Sequence, residues 1–276
     1  MRAYSIWRSM ACWVAAGVLT TAAYSQTTLL RNAAGYTPIP MEPKVMEELG
    51  AMTSLSNQVF KPSGAGPFPA VVLVHTCGGL KNPHMRLHAQ DLLRHGYVVL
   101  VQDSHGPRGF ETCRQKLIPF AVGVMDAYQG LRYLAAQSFV DPERIFLAGY
   151  SYGGYVAALA ADKDSAAVFG SPHRFRASVA HYVECQRKSG AQVVTAQVDR
   201  PLLLLLGQKD TEAPAASCFP LLEELHKASV PVEWHVYPNA THGWDKQGES
   251  QHGYQYDDAV TQDANRRMLE FLERQR

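Results

Sequence analysis

A serine stands between two glycines in the segment Gly149-Tyr150-Ser151-Tyr152-Gly153. The segment follows an apolar run, Ile145–Ala148, and precedes an alanine-rich stretch of helical composition. At such a strand-to-helix turn a serine hydroxyl projects above the sheet, and the flanking glycines allow the close backbone contacts that the turn requires. The pattern therefore predicts that Ser151 is a nucleophile. The alternative is a glycine-rich turn that only packs a helix tightly against a sheet.

A serine hydroxyl needs a neighbouring base before it can attack a carbonyl carbon. His242 lies in a turn-rich loop that follows an apolar run, and Asp210 is the first carboxylate after another apolar run. The chain order nucleophile, acid, base is that of α/β-hydrolases. This order predicts that Asp210 orients His242 and that His242 activates Ser151. Glu212 is the alternative acid, and the non-catalytic interpretations are an exposed loop histidine and a helix-capping aspartate.

A hydrolase of this kind also needs backbone amides that bind the oxyanion of the tetrahedral intermediate. The residue after the nucleophile normally supplies one donor, which here is the amide of Tyr152. A second donor is expected from the loop after an earlier central strand, which reads His-Thr-Cys-Gly-Gly at residues 75–79. The paired glycines let this loop approach the site closely, so the second donor is predicted to be the amide of Thr76 or Cys77.

These residues follow apolar runs that alternate with helical patterns. The predicted strands are Ala70–His75, Val98–Gln102, Ile145–Ala148, a weaker Ala177–Val183, Leu202–Leu206 and Val232–Tyr237. The predicted helices are Met85–His95, Ile118–Gln137, Gly154–Ala161, Ala213–Ala228 and Asp257–Arg274. Such alternation predicts an α/β fold, with a mostly parallel central sheet and helices on both faces. No composition break or repeat divides residues 57–276, which are therefore interpreted as one domain.

The N-terminal residues have the pattern of an export signal. Arg2 and Arg8 precede an apolar run of about a dozen residues, and Ala23-Tyr24-Ser25 offers a cleavage site before Gln26. The run is too short for a membrane anchor, which needs about 20 residues. Residues 1–25 are thus expected to be removed, and residues 26–56 to form an irregular lead-in with a short helix near 44–49. The mature protein is expected to be periplasmic or secreted.

Composition limits the partners and the role of the cysteines. The 276 residues carry a formal net charge of +1, which gives no electrostatic case for nucleic acid or an anionic membrane surface. Removal of the signal leaves an even number of cysteines, which permits two disulfides with three possible connectivities. The spacing C-x-x-C does not occur among them, which argues against zinc ribbons. These four cysteines are Cys77, Cys113, Cys185 and Cys218.

The chain resembles the dienelactone hydrolase family over most of residues 57–275. The resemblance rests on the segments HTCGGL (75–80), DSHGPRG (103–109), GYSYGG (149–154), GQKD (207–210) and THGW (241–244). It implies an eight-strand-type α/β-hydrolase core without a large cap domain, which acts on esters or lactones. The dienelactone enzymes have a cysteine nucleophile and a glutamate after the strand-end histidine, where this chain has Ser151 and Thr76. The chain therefore resembles more closely an exported branch of the family with a serine nucleophile.

Several further roles are hypotheses. Arg108 either contacts a substrate carboxylate or pairs within its own loop, and Tyr150 and Trp244 either line the substrate pocket or belong to the core. Disulfides Cys77–Cys113 and Cys185–Cys218 are expected to clamp loops around the site. His84 and His88 are spaced as a helical metal pair, but a solvated helix face is the favoured interpretation and no metal is expected.

The sequence as a whole predicts a serine hydrolase that cleaves an ester or lactone through an acyl-enzyme, without a metal or organic cofactor. A small peptidase or amidase could use the same triad, and a non-catalytic binding protein on a hydrolase scaffold is the third possibility. The natural substrate and the oligomeric state are not specified by the sequence.

Overall fold

A computed structural model describes residues 59–81, 83–169, 171–248 and 253–276 of the chain. The predicted export signal and the lead-in at residues 26–56 lie outside the described residues. Within the described ranges, no helix is both long enough and apolar enough to cross a membrane.

One sheet organises the described part of the chain. Its strands are β1 (Val59–Phe60), β2 (Phe68–Val74), β3 (Val98–Gln102), β4 (Val140–Tyr150), β5 (Ser178–His181), β6 (Leu202–Gly207) and β7 (Val232–Tyr237). The spatial order is β1-β3-β2-β4-β5-β6-β7. Only β1 runs antiparallel to its neighbour, while the other neighbouring pairs are parallel. The predicted mostly parallel α/β sheet is thereby confirmed.

Helices cover both faces of this sheet. They are α1 (Pro83–Arg94), α2 (Phe120–Ala135), α3 (Tyr152–Ala160), α4 (Ser165–Val168), α5 (Phe219–Lys227) and α6 (Asp258–Arg274). Buried residues of α2, α3 and α5 pack on one face, and those of α1 and α6 pack on the other. Successive residues of β2 alternate between the two clusters, because side chains of a strand point to opposite faces. Burial on both faces explains why the strands are continuous apolar runs.

The predicted elements are found with shifts in their bounds, of which the largest among the strands is in β4, expected at Ile145–Ala148 and found at Val140–Tyr150. The weak strand expected at 177–183 is shorter, Ser178–His181, and the helix expected at 213–228 divides into a 3₁₀ turn, Ala215–Ser217, and α5. Pro220 in the first turn of α5 favours a helix start at that point. The short edge strand β1 and the single-turn helix α4 were not predicted, because two to four residues carry too little periodicity.

The turn between β4 and α3 is the most constrained part of the backbone. Ser151 has φ 51° and ψ −112°, a conformation that L-residues rarely adopt. A Cβ atom on Gly149 would collide with the carbonyl oxygen of Gly153, and one on Gly153 would collide with the carbonyl oxygen of Val74. Only glycine fits at these two positions, so the turn brings the start of α3 directly against the end of β2.

This close approach predicts that replacing Gly153 with alanine destabilises the protein, whereas helix propensity alone predicts stabilisation. Gly153→Ala should lower the free energy of unfolding by about 3 kcal/mol because the backbone must shift, although glycine-to-alanine changes within helices usually stabilise by about 1 kcal/mol. Gly96→Ala is the control, since its methyl group meets nothing within 4 Å and only the positive φ of 82° is strained. Urea denaturation of both variants measures the difference. A smaller loss for Gly153→Ala than for Gly96→Ala would contradict the packing argument.

Candidate active site

Three side chains from separate strand exits and a late loop meet above the sheet. Ser151 Oγ lies 2.9 Å from Nε2 of His242, and Nδ1 of His242 lies 2.7 Å from Oδ2 of Asp210. All three residues are buried, with 4% to 7% of their surface exposed. The serine hydroxyl donates to Nε2 when Nδ1–H donates to the carboxylate, which is the tautomer that general-base catalysis requires.

The loop after β6 fixes the carboxylate of Asp210. Its Oδ1 atom accepts hydrogen bonds from the backbone N–H groups of Glu212, at 2.9 Å, and Ala213, at 2.7 Å. The remaining oxygen therefore points at Nδ1 of His242. The alternative acid, Glu212, lies on the other side of the imidazole, where its carboxylate is 3.8 Å from Nε2. Asp210 thus has the geometry of the orienting carboxylate and Glu212 does not.

Two of the backbone amides near Ser151 already donate hydrogen bonds within the fold, whereas that of Tyr152 differs. The N–H of Ser151 donates to the carbonyl of His181, and the N–H of Gly153 donates to the carbonyl of His75. Tyr152 is the first residue of α3, so its N–H has no acceptor one turn earlier in the helix. That amide also lies at the positive end of the helix dipole, which favours a developing negative charge.

The loop after β2 lies against the same turn through the Gly153–His75 hydrogen bond. Within this loop the N–H groups of Gly78 and Gly79 both donate to Thr76, which removes them as oxyanion donors. The amides of Thr76 and Cys77 are the ones that the sequence predicts for this role, and this assignment stays a prediction.

Two disulfides join the loops as expected. Cys77 pairs with Cys113, with Cα atoms 5.1 Å apart, and Cys185 pairs with Cys218, with Cα atoms 4.8 Å apart. The Cys113 N–H also donates to the Cys77 carbonyl at 3.0 Å. The first disulfide therefore fixes the loop after β2 to the loop before α2.

A buried histidine supports the β2 loop, and sequence reasoning missed it. His75 donates from Nδ1 to the Thr76 carbonyl and accepts at Nε2 from the Ser104 N–H, at 2.7 and 3.1 Å. Complete burial and the neighbouring His105 lower the pKa of His75 to about 4. The ring is therefore neutral near pH 7, as its acceptor role at Nε2 requires. The strand-end position was the available signal, but it does not reveal the partner in another loop.

A second buried polar group supports the loop that carries His242. Tyr182, with φ 43°, packs edge-on against His242 at a centroid distance of 4.9 Å and donates its hydroxyl to Asp245. His88 donates to the same carboxylate at 2.6 Å. Burial raises the pKa of Asp245, but the hydrogen bond and charge of His88 more than offset this and hold it below the usual range. The favoured solvated-face interpretation of His84 and His88 is wrong, since both are buried.

Three proposed substrate contacts need correction. The guanidinium of Arg108 forms two hydrogen bonds of 2.8 Å with Asp126 of α2, and both side chains are at most 1% exposed. Tyr150 lies in the core, stacked between rings of α1 and β5. Trp244 is 1% exposed and packs against Tyr182. The buried ion pair and the burial of both rings account for these three residues, so none of them is placed to touch a substrate.

Other features lie away from the triad. A cavity of about 910 Å³ lies between α1 and α6, with His84 and Asp245 among its lining residues. No group of three or more histidine, cysteine or acidic side chains in the described residues could hold a metal ion.

Comparison with known proteins identifies the family. The model of the dienelactone hydrolase family matches residues 55–275. A protein of Methylorubrum extorquens named "Putative carboxymethylenebutenolidase" is 24% identical over 240 residues, which cover 80% of this chain and 76% of that protein.

Solved structures share the fold. The "Putative Dienelactone Hydrolase" of Klebsiella pneumoniae superposes with a TM-score of 0.62 at 22% identity, over 78% of this chain and 91% of that one. A thermophilic esterase of Thermogutta terrifontis with bound propionate gives a TM-score of 0.60 at 18% identity, over 83% and 95%. With a family match that covers most of its length, the chain belongs to the dienelactone hydrolase family and is a carboxylic ester hydrolase with the α/β-hydrolase fold.

Proposed function

We propose that this protein is a serine hydrolase that cleaves a carboxylic ester or lactone through an acyl-enzyme intermediate. The observation that carries the proposal is the continuous chain of hydrogen bonds from Ser151 Oγ through His242 to Asp210, at 2.9 and 2.7 Å. A binding protein has no need for this arrangement. A nucleophile, a base and a carboxylate that stabilises the protonated base are useful together only in a reaction that transfers a proton.

The first half of the reaction forms the acyl-enzyme. Ser151 Oγ attacks the carbonyl carbon while its proton passes to Nε2 of His242. The carbonyl oxygen becomes an oxyanion, which receives hydrogen bonds from the amide of Tyr152 and from that of Thr76 or Cys77. The bond to the leaving oxygen then breaks, and the imidazolium returns its proton to that oxygen.

The second half releases the acid. Water takes the place of the alcohol, gives a proton to His242 and attacks the acyl carbon. The bond between that carbon and Ser151 Oγ then breaks, and the imidazolium returns the proton to Oγ as the acid leaves. Asp210 stabilises the imidazolium in both halves. Apart from the substrate and water, every step uses groups that the chain supplies, so the proposed mechanism includes no cofactor.

Replacement of the nucleophile tests the proposal directly. Ser151→Ala should lower kcat for p-nitrophenyl acetate by at least about 10⁴-fold, because the acyl-enzyme cannot form. A fluorophosphonate probe should add one adduct per chain in the wild type and none in this variant, as measured by intact-protein mass spectrometry. Ser189→Ala, at an exposed serine, is the matched control and should keep both properties.

Equal turnover by the wild type and Ser151→Ala would refute the role of Ser151. A chain that is labelled yet cleaves only dipeptide anilides would favour the peptidase alternative.

The disulfides provide a second test, because their loops are of similar length. Removal of either bridge, as Cys77→Ser with Cys113→Ser or Cys185→Ser with Cys218→Ser, opens a loop with a separation of 36 or 33 residues and should cost about 4 kcal/mol of stability. Only the first pair should also lower kcat, by about tenfold, since it holds the predicted oxyanion loop. Urea denaturation and steady-state kinetics separate the two effects. Equal losses of kcat for both pairs would argue against an oxyanion role for residues 76–77.

We also propose that the mature protein acts outside the cytoplasm. Two disulfides suit an oxidising compartment, and the N-terminal 25 residues have the composition of an export signal.

Expression of the full chain in a bacterium with a periplasm tests this localisation. Protein recovered from the periplasmic fraction should begin at Gln26 by N-terminal sequencing, with no free thiols after denaturation. Protein confined to the cytoplasm with Met1 retained would contradict the proposal.

A further inference from the structure

The carboxylate of Glu212 lies beside the reactive nitrogen of the catalytic histidine. Its Oε1 atom is 3.8 Å from Nε2 of His242, the same nitrogen that Ser151 Oγ contacts at 2.9 Å. The Glu212 side chain is 53% exposed, whereas the Asp210 side chain on the opposite nitrogen is fully buried. Glu212 therefore lies on the solvent-exposed side of the imidazole.

A tyrosine holds this carboxylate in place. The hydroxyl of Tyr254 donates a hydrogen bond to Oε2 of Glu212, and its ring lies 5.1 Å from the ring of His242. Burial and the adjoining Glu212 carboxylate raise the pKa of the Tyr254 phenol well above its usual value, so the hydroxyl remains a donor. Glu212 is thus a positioned acid rather than a freely rotating surface side chain.

The segment that carries Tyr254 is itself fastened to the histidine loop. The N–H of Gln255 donates to Oγ1 of Thr241 at 2.8 Å, and the N–H of Asp257 donates to the carbonyl of Trp244 at 2.8 Å. Residues on both sides of His242 are therefore tied to residues that follow Tyr254. Tyr254 and Glu212 therefore lie side by side next to Nε2 of His242, and their position is coupled to that of the imidazole.

The chemistry of the imidazole identifies the part of the substrate that would lie next to Glu212 and Tyr254. In the proposed reaction Nε2 returns its proton to the leaving oxygen, so the alcohol half of the ester departs beside Nε2. A carboxylate within 4 Å of that nitrogen acts on the alcohol half rather than on the acyl half. The basic side chain of Arg114 acts electrostatically on the Tyr254 phenol, whereas Glu212 contacts the imidazole itself.

We infer that Glu212, held by Tyr254, forms a leaving-group subsite that selects esters whose alcohol carries a positive charge. The inference rests on the proposed function, because it needs Nε2 to serve the leaving oxygen. Arg108 does not compensate this charge, since its guanidinium binds Asp126 in the core. Opposite charges about 5 Å apart at a partly exposed site correspond to about a fivefold to tenfold gain in kcat/KM, and this gain should shrink in high salt.

Acetylcholine and 3,3-dimethylbutyl acetate test the inference, because they have the same shape and acyl group and differ by one positive charge on the alcohol. The wild type should hydrolyse acetylcholine with about fivefold to tenfold higher kcat/KM, measured by pH-stat titration. In Glu212→Gln this ratio should fall to about one. Glu223→Gln, at an exposed acid of α5, removes the same net charge from the chain and should keep the wild-type ratio.

A wild-type ratio of one, or a ratio that Glu212→Gln leaves unchanged, would overturn the inference. If both acetates react too slowly, inhibition of p-nitrophenyl acetate turnover by choline and by 3,3-dimethylbutanol gives the same comparison, with the stronger inhibition by choline lost in Glu212→Gln. Equal inhibition by both alcohols in the wild type would also overturn it. Absence of any p-nitrophenyl acetate turnover by the wild type is a different result, which refutes the proposed function and the inference with it.

Discussion

The close backbone contact between β2, β4 and α3 is the constraint on which the rest of the site depends. Gly149 and Gly153 leave no room for a side chain, and the turn between them has a positive φ at Ser151. Two hydrogen bonds leave this turn, one to the carbonyl of His75 and one to the carbonyl of His181. A single turn thus fixes the exits of β2, β4 and β5 relative to one another, which sets the position of Ser151 relative to the loop after β2.

Buried polar pairs hold the remaining loops in place. Arg108 and Asp126 fasten the loop after β3 to α2. His88 and Tyr182 hold Asp245, three residues beyond His242. Loss of one partner from such a pair leaves an uncompensated buried charge, at a cost of about 3–5 kcal/mol. The loops are therefore held by specific contacts at defined points and by two disulfides, and this kind of support keeps catalytic groups within hydrogen-bond reach.

The sequence predicted the positions of Ser151 and Asp210 because each follows a buried strand, and parallel strands end at the same edge of a sheet. His242 was predicted from its place in a loop late in the chain, after the nucleophile and the acid. The sequence favoured Asp210 as the orienting acid but left Glu212 open as the alternative, since the two are only two residues apart and their directions depend on the loop. The sequence also did not indicate the partner of Arg108, because no feature of the sequence distinguishes Asp126 from other acidic residues in predicted helices. Tyr150 and Trp244 were misassigned for a related reason: proximity to the site in sequence does not determine to which face of the sheet a ring points.

His242 differs from Ser151 and Asp210 in how it is held. Ser151 and Asp210 follow directly from strands, whereas His242 lies on a loop and depends on contacts from elsewhere. Tyr182 packs against one edge of its ring, and the segment that contains Tyr254 is bonded to residues on both sides of it. Because Tyr254 also positions Glu212, the contacts that orient the base also shape the space where a leaving group would depart. A shift of this segment therefore moves the imidazole and the Glu212 carboxylate together, which couples the proposed base to the proposed leaving-group subsite.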